Sequence, residues 1–83
     1  MITFRWDKRK AQSNFQKHKV SFEEATEIWN DELAAFLHDP SHSDNEDRYI
    51  MIGYSKKNNL LFVSFTERNK DIRIISARKA TKN

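Results

Sequence analysis

The sequence contains no cysteine, a single proline and a single glycine in 83 residues. Without thiols it can form neither a disulfide framework nor a thiolate zinc site. Its three histidines, His18, His38 and His42, lack a metal-ligand spacing, so neither a metal nor a cofactor is expected. No run of the roughly 18 apolar residues needed to cross a bilayer occurs. The opening Met1-Ile2-Thr3-Phe4-Arg5-Trp6-Asp7 reaches charge too soon for a secretory leader, and a cytoplasmic location is the default expectation. Internal repeats and low-complexity segments are also absent.

What is present suits one small folded domain spanning 1–83. Charged residues make up 33% and hydrophobic ones 37%, with Trp6, Trp29 and six phenylalanines, enough apolar material for a core and too much for a disordered tail. The net charge of +3 conceals a division along the chain. Met1 to Lys19 carries six Lys/Arg against Asp7 alone; Val20 to Asp47 carries nine Asp/Glu and no Lys/Arg; Arg48 to Asn83 carries nine Lys/Arg against Glu67 and Asp71. If the two basic segments meet in the fold, they form a surface suited to phosphates, with the acidic middle on another face. The plainer alternative is that each charge run is only a solvated surface.

Local patterns predict an α+β order of N-terminal strand, two helices and an antiparallel meander, with the helices on one sheet face. Ile2 to Trp6 reads as a strand, and Asp7 as the cap of a helix from Lys8 to about His18 whose Ala11, Phe15 and His18 share a face. Ser21 with Glu24 forms a capping-box pattern before a second helix from Phe22 to about Asn30. Leu33 to Leu37 is a short strand candidate, closed by the polar loop Asp39-Pro40-Ser41-His42-Ser43-Asp44-Asn45. Arg48 to Tyr54, Leu60 to Thr66 and Asp71 to Ala77 complete the meander. Asn58-Asn59 supplies one tight hairpin and Glu67-Arg68-Asn69-Lys70 a longer turn. Trp6, Phe15, Phe22 and Trp29 are expected in the core, and Asn14 as a bridge from the first helix to the sheet.

Several strings in this order resemble the BrnT family: Trp6-Asp7-Xaa-Xaa-Lys10-Ala11-Xaa-Xaa-Asn14-Xaa-Xaa-Lys17-His18, then Val20-Ser21-Phe22-Glu23-Glu24-Ala25, Arg48-Tyr49-Ile50-Xaa-Ile52-Gly53, Thr66-Glu67-Arg68 and Arg73-Ile74-Ile75-Ser76-Ala77-Arg78-Lys79-Ala80-Thr81. The resemblance covers nearly the whole chain. It implies a RelE-like fold, a ribonuclease toxin of a type II toxin–antitoxin pair that arrests translation, and neutralisation by a BrnA-type antitoxin in a hetero-oligomer. Two departures stand out. Lys19 occupies a position where the family commonly has glycine, so a different interhelix turn is expected. The chain also stops at Asn83, where family members often continue with basic residues, so RNA contact there is expected to be reduced.

Metal-independent RNA cleavage needs a base for the ribose 2′-OH, cations for the charge growing on phosphorus, and an acid for the leaving 5′-oxygen. Arg73 and Arg48 are the candidate phosphate clamps, because a guanidinium binds phosphate in bidentate fashion. His18 is the candidate acid or base, since its ordinary pKa lies near neutrality, and Glu67 is a second. Lys10, Lys17, Arg68 and Arg78 are candidate RNA-backbone contacts, and Tyr54 and Tyr49 candidate stacking platforms. Regular alternation along the last strand puts Arg73 and Arg78 on opposite faces. For each the ordinary alternative is structural: a solvated or ion-paired arginine, a capping histidine, a packed tyrosine. His38 and His42 are read as loop residues without a role. The competing reading of the whole is a non-catalytic basic module that binds RNA or DNA.

Overall fold

The computed structural model describes residues 2–40 and 47–80. Strand β1 (Thr3–Arg5) is followed by helix α1 (Lys8–His18), helix α2 (Phe22–Thr26) continuing into a 3-10 turn (Glu27–Asn30), and strands β2 (Ala35–Asp39), β3 (Arg48–Tyr54), β4 (Leu60–Arg68) and β5 (Asp71–Lys79). The five strands form one sheet in the order β1-β5-β4-β3-β2. Strand β1 runs parallel to β5, and the other pairs are antiparallel. The α+β order expected from sequence is therefore the observed one. Of the predicted loop, Asp39 ends β2 and Pro40 follows as a turn residue, while Ser41 to Asn45, including His42, lie outside the described residues.

Helix α1 begins where Asp7 accepts the backbone N–H groups of Arg9 and Lys10 at 2.8 and 3.2 Å, satisfying donors that the first helical turn leaves open. It ends at Lys19, which takes the left-handed conformation, φ 60 and ψ 28, and donates its N–H to Phe15 O. The glycine-type turn is thus kept despite the lysine, contrary to the altered turn expected from sequence. The strain is held by the adjacent Val20, which is fully buried and whose carbonyl accepts Asn14 Nδ2 at 3.1 Å. Phe15, expected in the core, is instead 49% exposed, since α1 meets the sheet through Ala11 and Asn14. In α2, Ser21 Oγ accepts Glu24 N–H, but the Glu24 carboxylate turns away toward the β3–β4 connection, so the capping box is half formed.

The core lies between the helices and one sheet face. Val20, Phe22, Ala25 and Ile28 meet Leu61, Val63 and Phe65 of β4 and Ile72, Ile74 and Ala77 of β5. Edge-on aromatic contacts link β1 to the centre, Phe4 to Trp29 at 5.1 Å and Trp29 to Phe65 at 5.0 Å between centroids. Trp6 packs likewise on Phe22. Gly53 is where the loop before β2 crosses the sheet closely: a Cβ there would lie 3.0 Å from Ala34 Cβ and 3.3 Å from Ile28 Cβ.

Two features of the β4–β5 hairpin depart from expectation. The turn is not long: Arg68 pairs with Asp71, leaving Asn69 and Lys70, at φ 50 and 72, as a two-residue loop of the type whose twist matches the flanking strands. The ladder also slips once. Ser64 pairs with Ser76 but Phe65 pairs with Ile74, so Ile75 is an extra residue. A bulge of one residue reverses side-chain parity beyond it. Arg73, Ser76 and Arg78 therefore all face away from the helices, which overturns the expected separation of Arg73 from Arg78.

Candidate nucleic-acid interface

The sheet face turned away from the helices carries the basic residues in cross-strand rows. Register aligns Asp39 of β2, Arg48 of β3, Thr66 of β4, Arg73 of β5 and Arg5 of β1. Arg48 and Arg73 thus flank Thr66 on either side, with Cα atoms about 10 Å apart at two strand spacings. Thr66 is 2% exposed, and its Oγ1 has no hydrogen-bond partner. The neighbouring row contains Arg68, Asp71 and Thr3. Arg5, Arg68, Asn69, Asp71 and Arg73 line a cleft of about 240 Å³, in which Arg5 Nε donates to Asp71 Oδ2 at 2.6 Å.

Short β1 decides what borders this row. It pairs with β5 only as far as Arg73, and the chain then leaves the sheet to start α1, which covers the continuing edge of β5. Asn14 Nδ2 donates to Ala77 O at 2.8 Å while Ala77 N donates to Asn14 Oδ1 at 3.1 Å. The bridge expected of Asn14 is present. Beside it Lys10, Ser13, Lys17, His18, Ile75 and Ser76 line a second cleft of about 220 Å³. At the helix start, the backbone N–H groups of Lys10 and Arg9 hold the Asp7 carboxyl below its ordinary pKa, and the charges of Lys10 and Arg73 act in the same direction. The row and the helix cleft therefore adjoin along one side of β5, and the two basic segments meet as the charge pattern suggested.

Other sequence-predicted residues are placed elsewhere. Arg78 shares the open face but sits at its far end, with Cζ 4.4 Å from the Phe62 ring centroid, a cation–π arrangement. Tyr54 is also on that face, opposite Leu60 and 52% exposed; Leu37, Ile50, Ile52 and Phe62 make the area around them apolar. Tyr49 points to the helix side, against Phe36 and Phe65, so it is a packed residue. Glu67 pairs with Ile72, whose side chain enters the core, and so lies on the opposite face from Arg48 and Arg73. His38 belongs to β2 and not to a loop; its ring meets Tyr49, and its Nε2 lies 3.5 Å from Asp47 Oδ1.

Much of the acidic segment is occupied with the β3–β4 connection. Glu24 accepts Ser55 Oγ at 2.7 Å and Asn59 Nδ2 at 2.8 Å, Glu27 accepts Lys56 N–H, and Asp31 accepts the N–H groups of Tyr54 and Leu33. Burial pushes the Glu24 carboxyl up, but the hydrogen bonds from Asn59 and Ser55 and the charges of Lys57 and Lys79 outweigh it, leaving the pKa below its ordinary 4.5. These three acids sit at the opposite end of β4 from the Asn69-Lys70 turn, away from the arginine row, which Asp39 joins from the same segment at the β2 edge.

Thr66, Arg5 and Ser76 share the basic region without having been singled out from sequence. Thr66 lay within the string Thr66-Glu67-Arg68 and Arg5 within the basic N-terminal segment, but the register that unites them is not local. Among the described residues no group of three His, Cys, Asp or Glu side chains converges to hold a metal ion, and no helix is long and apolar enough to cross a membrane.

No curated protein sequence matches the chain. Its fold is similar to that of the Brucella abortus ribonuclease toxin BrnT, known from a 1.1 Å crystal structure, with a TM-score of 0.70 over 99% of both chains at 24% identity. Residues 6–83 match the family described as "Ribonuclease toxin, BrnT, of type II toxin-antitoxin system". Since that match spans almost the whole sequence, the chain belongs to the BrnT family of ribonuclease toxins of type II toxin–antitoxin systems.

Proposed function

We propose that this protein, one toxin domain over residues 1–83, cleaves RNA without a metal by attack of the ribose 2′-OH on the adjacent phosphorus. In this reaction the O2′–P bond forms and the P–O5′ bond breaks, giving a 2′,3′-cyclic phosphate and a 5′-hydroxyl. The 2′ proton passes to a base, and the departing O5′ takes a proton from an acid. The observation that carries the reading is the row in which Arg48 and Arg73 flank one position of β4, beside a cleft lined by Lys10, Lys17 and His18.

Guanidiniums on both sides of a phosphate oppose the negative charge that grows on its oxygens during attack. The same positive field disfavours a bound cation, which is why the reading dispenses with a metal. His18 is the proton-transfer candidate on this side of β5, because it lines the cleft with Lys10 and Lys17 and an imidazole can both accept and donate a proton. Glu67, on the other face, is a poor partner for the same phosphate. Lys10, Lys17, Arg5 and Arg68 then follow the flanking phosphates, a sequence-independent contribution that weakens with salt. Arg78 and Tyr54, at the far end of the same face, extend the track, with Tyr54 available to stack on an unpaired base.

The reading includes arrest of translation in the cytoplasm through loss of RNA, and neutralisation by a BrnA-type antitoxin that covers the arginine row. The competing reading, a basic module that binds nucleic acid without cutting it, draws support from the position of Glu67, which removes one acid–base candidate from the site. One experiment separates them: antitoxin-free protein is incubated with labelled RNA in EDTA and the fragment ends are identified. Fragments ending in 2′,3′-cyclic phosphate are expected, whereas intact RNA that remains bound supports the binding module.

A further inference from the structure

Thr66 Oγ1 is the one buried side-chain polar atom without a hydrogen-bond partner among the described residues, and it lies between the two arginines to which the proposed reaction assigns the phosphate. Valine has nearly the same shape, suits a strand equally well, and would leave no buried hydroxyl unpaired. Nothing in the packing requires the oxygen. Its register neighbours on both sides are arginines, whose long side chains have the rotamer freedom to turn their guanidiniums onto a phosphate lying over the hydroxyl between them.

We propose that Thr66 is a substrate-binding residue whose Oγ1 donates a hydrogen bond to a non-bridging oxygen of the phosphate held by Arg48 and Arg73. This rests on the ribonuclease reading above for the identity of the phosphate, but the anion site itself does not. A hydroxyl fixed by the rigid centre of the sheet gives the two mobile guanidiniums a common reference point, so it sets where the phosphorus sits and not merely how tightly it is held.

The test compares wild type, Thr66→Val and Thr66→Ser by NMR titration with inorganic phosphate, by melting temperature, and by cleavage of RNA in EDTA. In wild type the Thr66 methyl and the Arg48 and Arg73 Nε signals are expected to move together, with Arg78 unaffected. Thr66→Val is expected to melt no lower than wild type, bind phosphate roughly tenfold or more weakly, as for a lost hydrogen bond to a charged group, and lose cleavage. Thr66→Ser should keep both. Phosphate affinity and cleavage unchanged in Thr66→Val overturn the proposal while leaving the ribonuclease reading intact. A wild type that cuts no RNA but loses phosphate binding on Thr66→Val upholds the anion site and sinks the ribonuclease reading. If Thr66→Val does not fold, the wild-type titration decides, and unmoved Thr66 signals overturn the proposal.

Discussion

Asn14 and Ala77 pair as adjacent strand residues would, the carboxamide donating to Ala77 O at 2.8 Å and accepting Ala77 N–H at 3.1 Å. A helix side chain thus closes the β5 edge that β1 is too short to cover, and it fixes α1 and its cleft against the strand that carries Arg73. Replacing Asn14 by leucine removes both bonds and the one to Val20 O, stranding three buried backbone groups, a loss of about 3 kcal/mol or more. Asn14→Asp should also destabilise, because a carboxylate cannot donate to Ala77 O or Val20 O. Urea unfolding of the two variants measures this.

Lys19 adopts φ 60, a conformation that costs a residue with a Cβ roughly 1 kcal/mol. Lys19→Gly is expected to stabilise the protein by about 0.5 kcal/mol at most, the relief of strain being partly offset by the greater freedom of glycine in the unfolded chain. The shift of the denaturation midpoint at constant m-value is the readout.

Gly53 is required for space and not for backbone freedom. Gly53→Ala places a methyl group 3.0 Å from Ala34 Cβ and 3.2 Å from Asp31 Oδ2, forcing apart the loop and strand that Asp31 holds together. Overpacking of this kind costs about 1–3 kcal/mol, read as a lower melting temperature.

The Glu24 carboxylate has its pKa held below 4.5 in the folded protein, so the unfolded chain binds a proton there more readily than the folded one. Its contribution to stability is therefore present above about pH 4.5 and is lost as pH falls through the depressed folded value. Stability measured against pH should fall on the acid side, and Glu24→Gln should make that fall shallower.

Much of the fold was legible because its signals are local. Asp7 and Ser21 cap helices at the expected places, and Leu61, Val63 and Phe65 alternate as a half-buried strand should. The candidate site was legible in its components but not in its assembly. Arg48 and Arg73 were named from residue type, yet their common neighbour Thr66 emerges only from long-range register, and the extra residue Ile75 leaves no mark in a Val/Ile-type strand pattern. Phe15 misled because helical spacing identifies a shared face without saying that the sheet is met one position earlier, at Asn14. Lys70 at φ 72 hid the tight turn, since a lysine is an uncommon choice where asparagine-glycine is favoured.

Rates of RNA cleavage in EDTA for Arg48→Ala, Arg73→Ala and Arg78→Ala, each first confirmed to be folded, decide whether the arginines brought to one row of the open face perform the reaction. Losses of about 10²-fold or more are expected for Arg48→Ala and Arg73→Ala, as for removal of a group that stabilises transition-state charge, with a small change for Arg78→Ala. Equal, near-wild-type cleavage by all three would mean that the reaction takes place elsewhere on the protein.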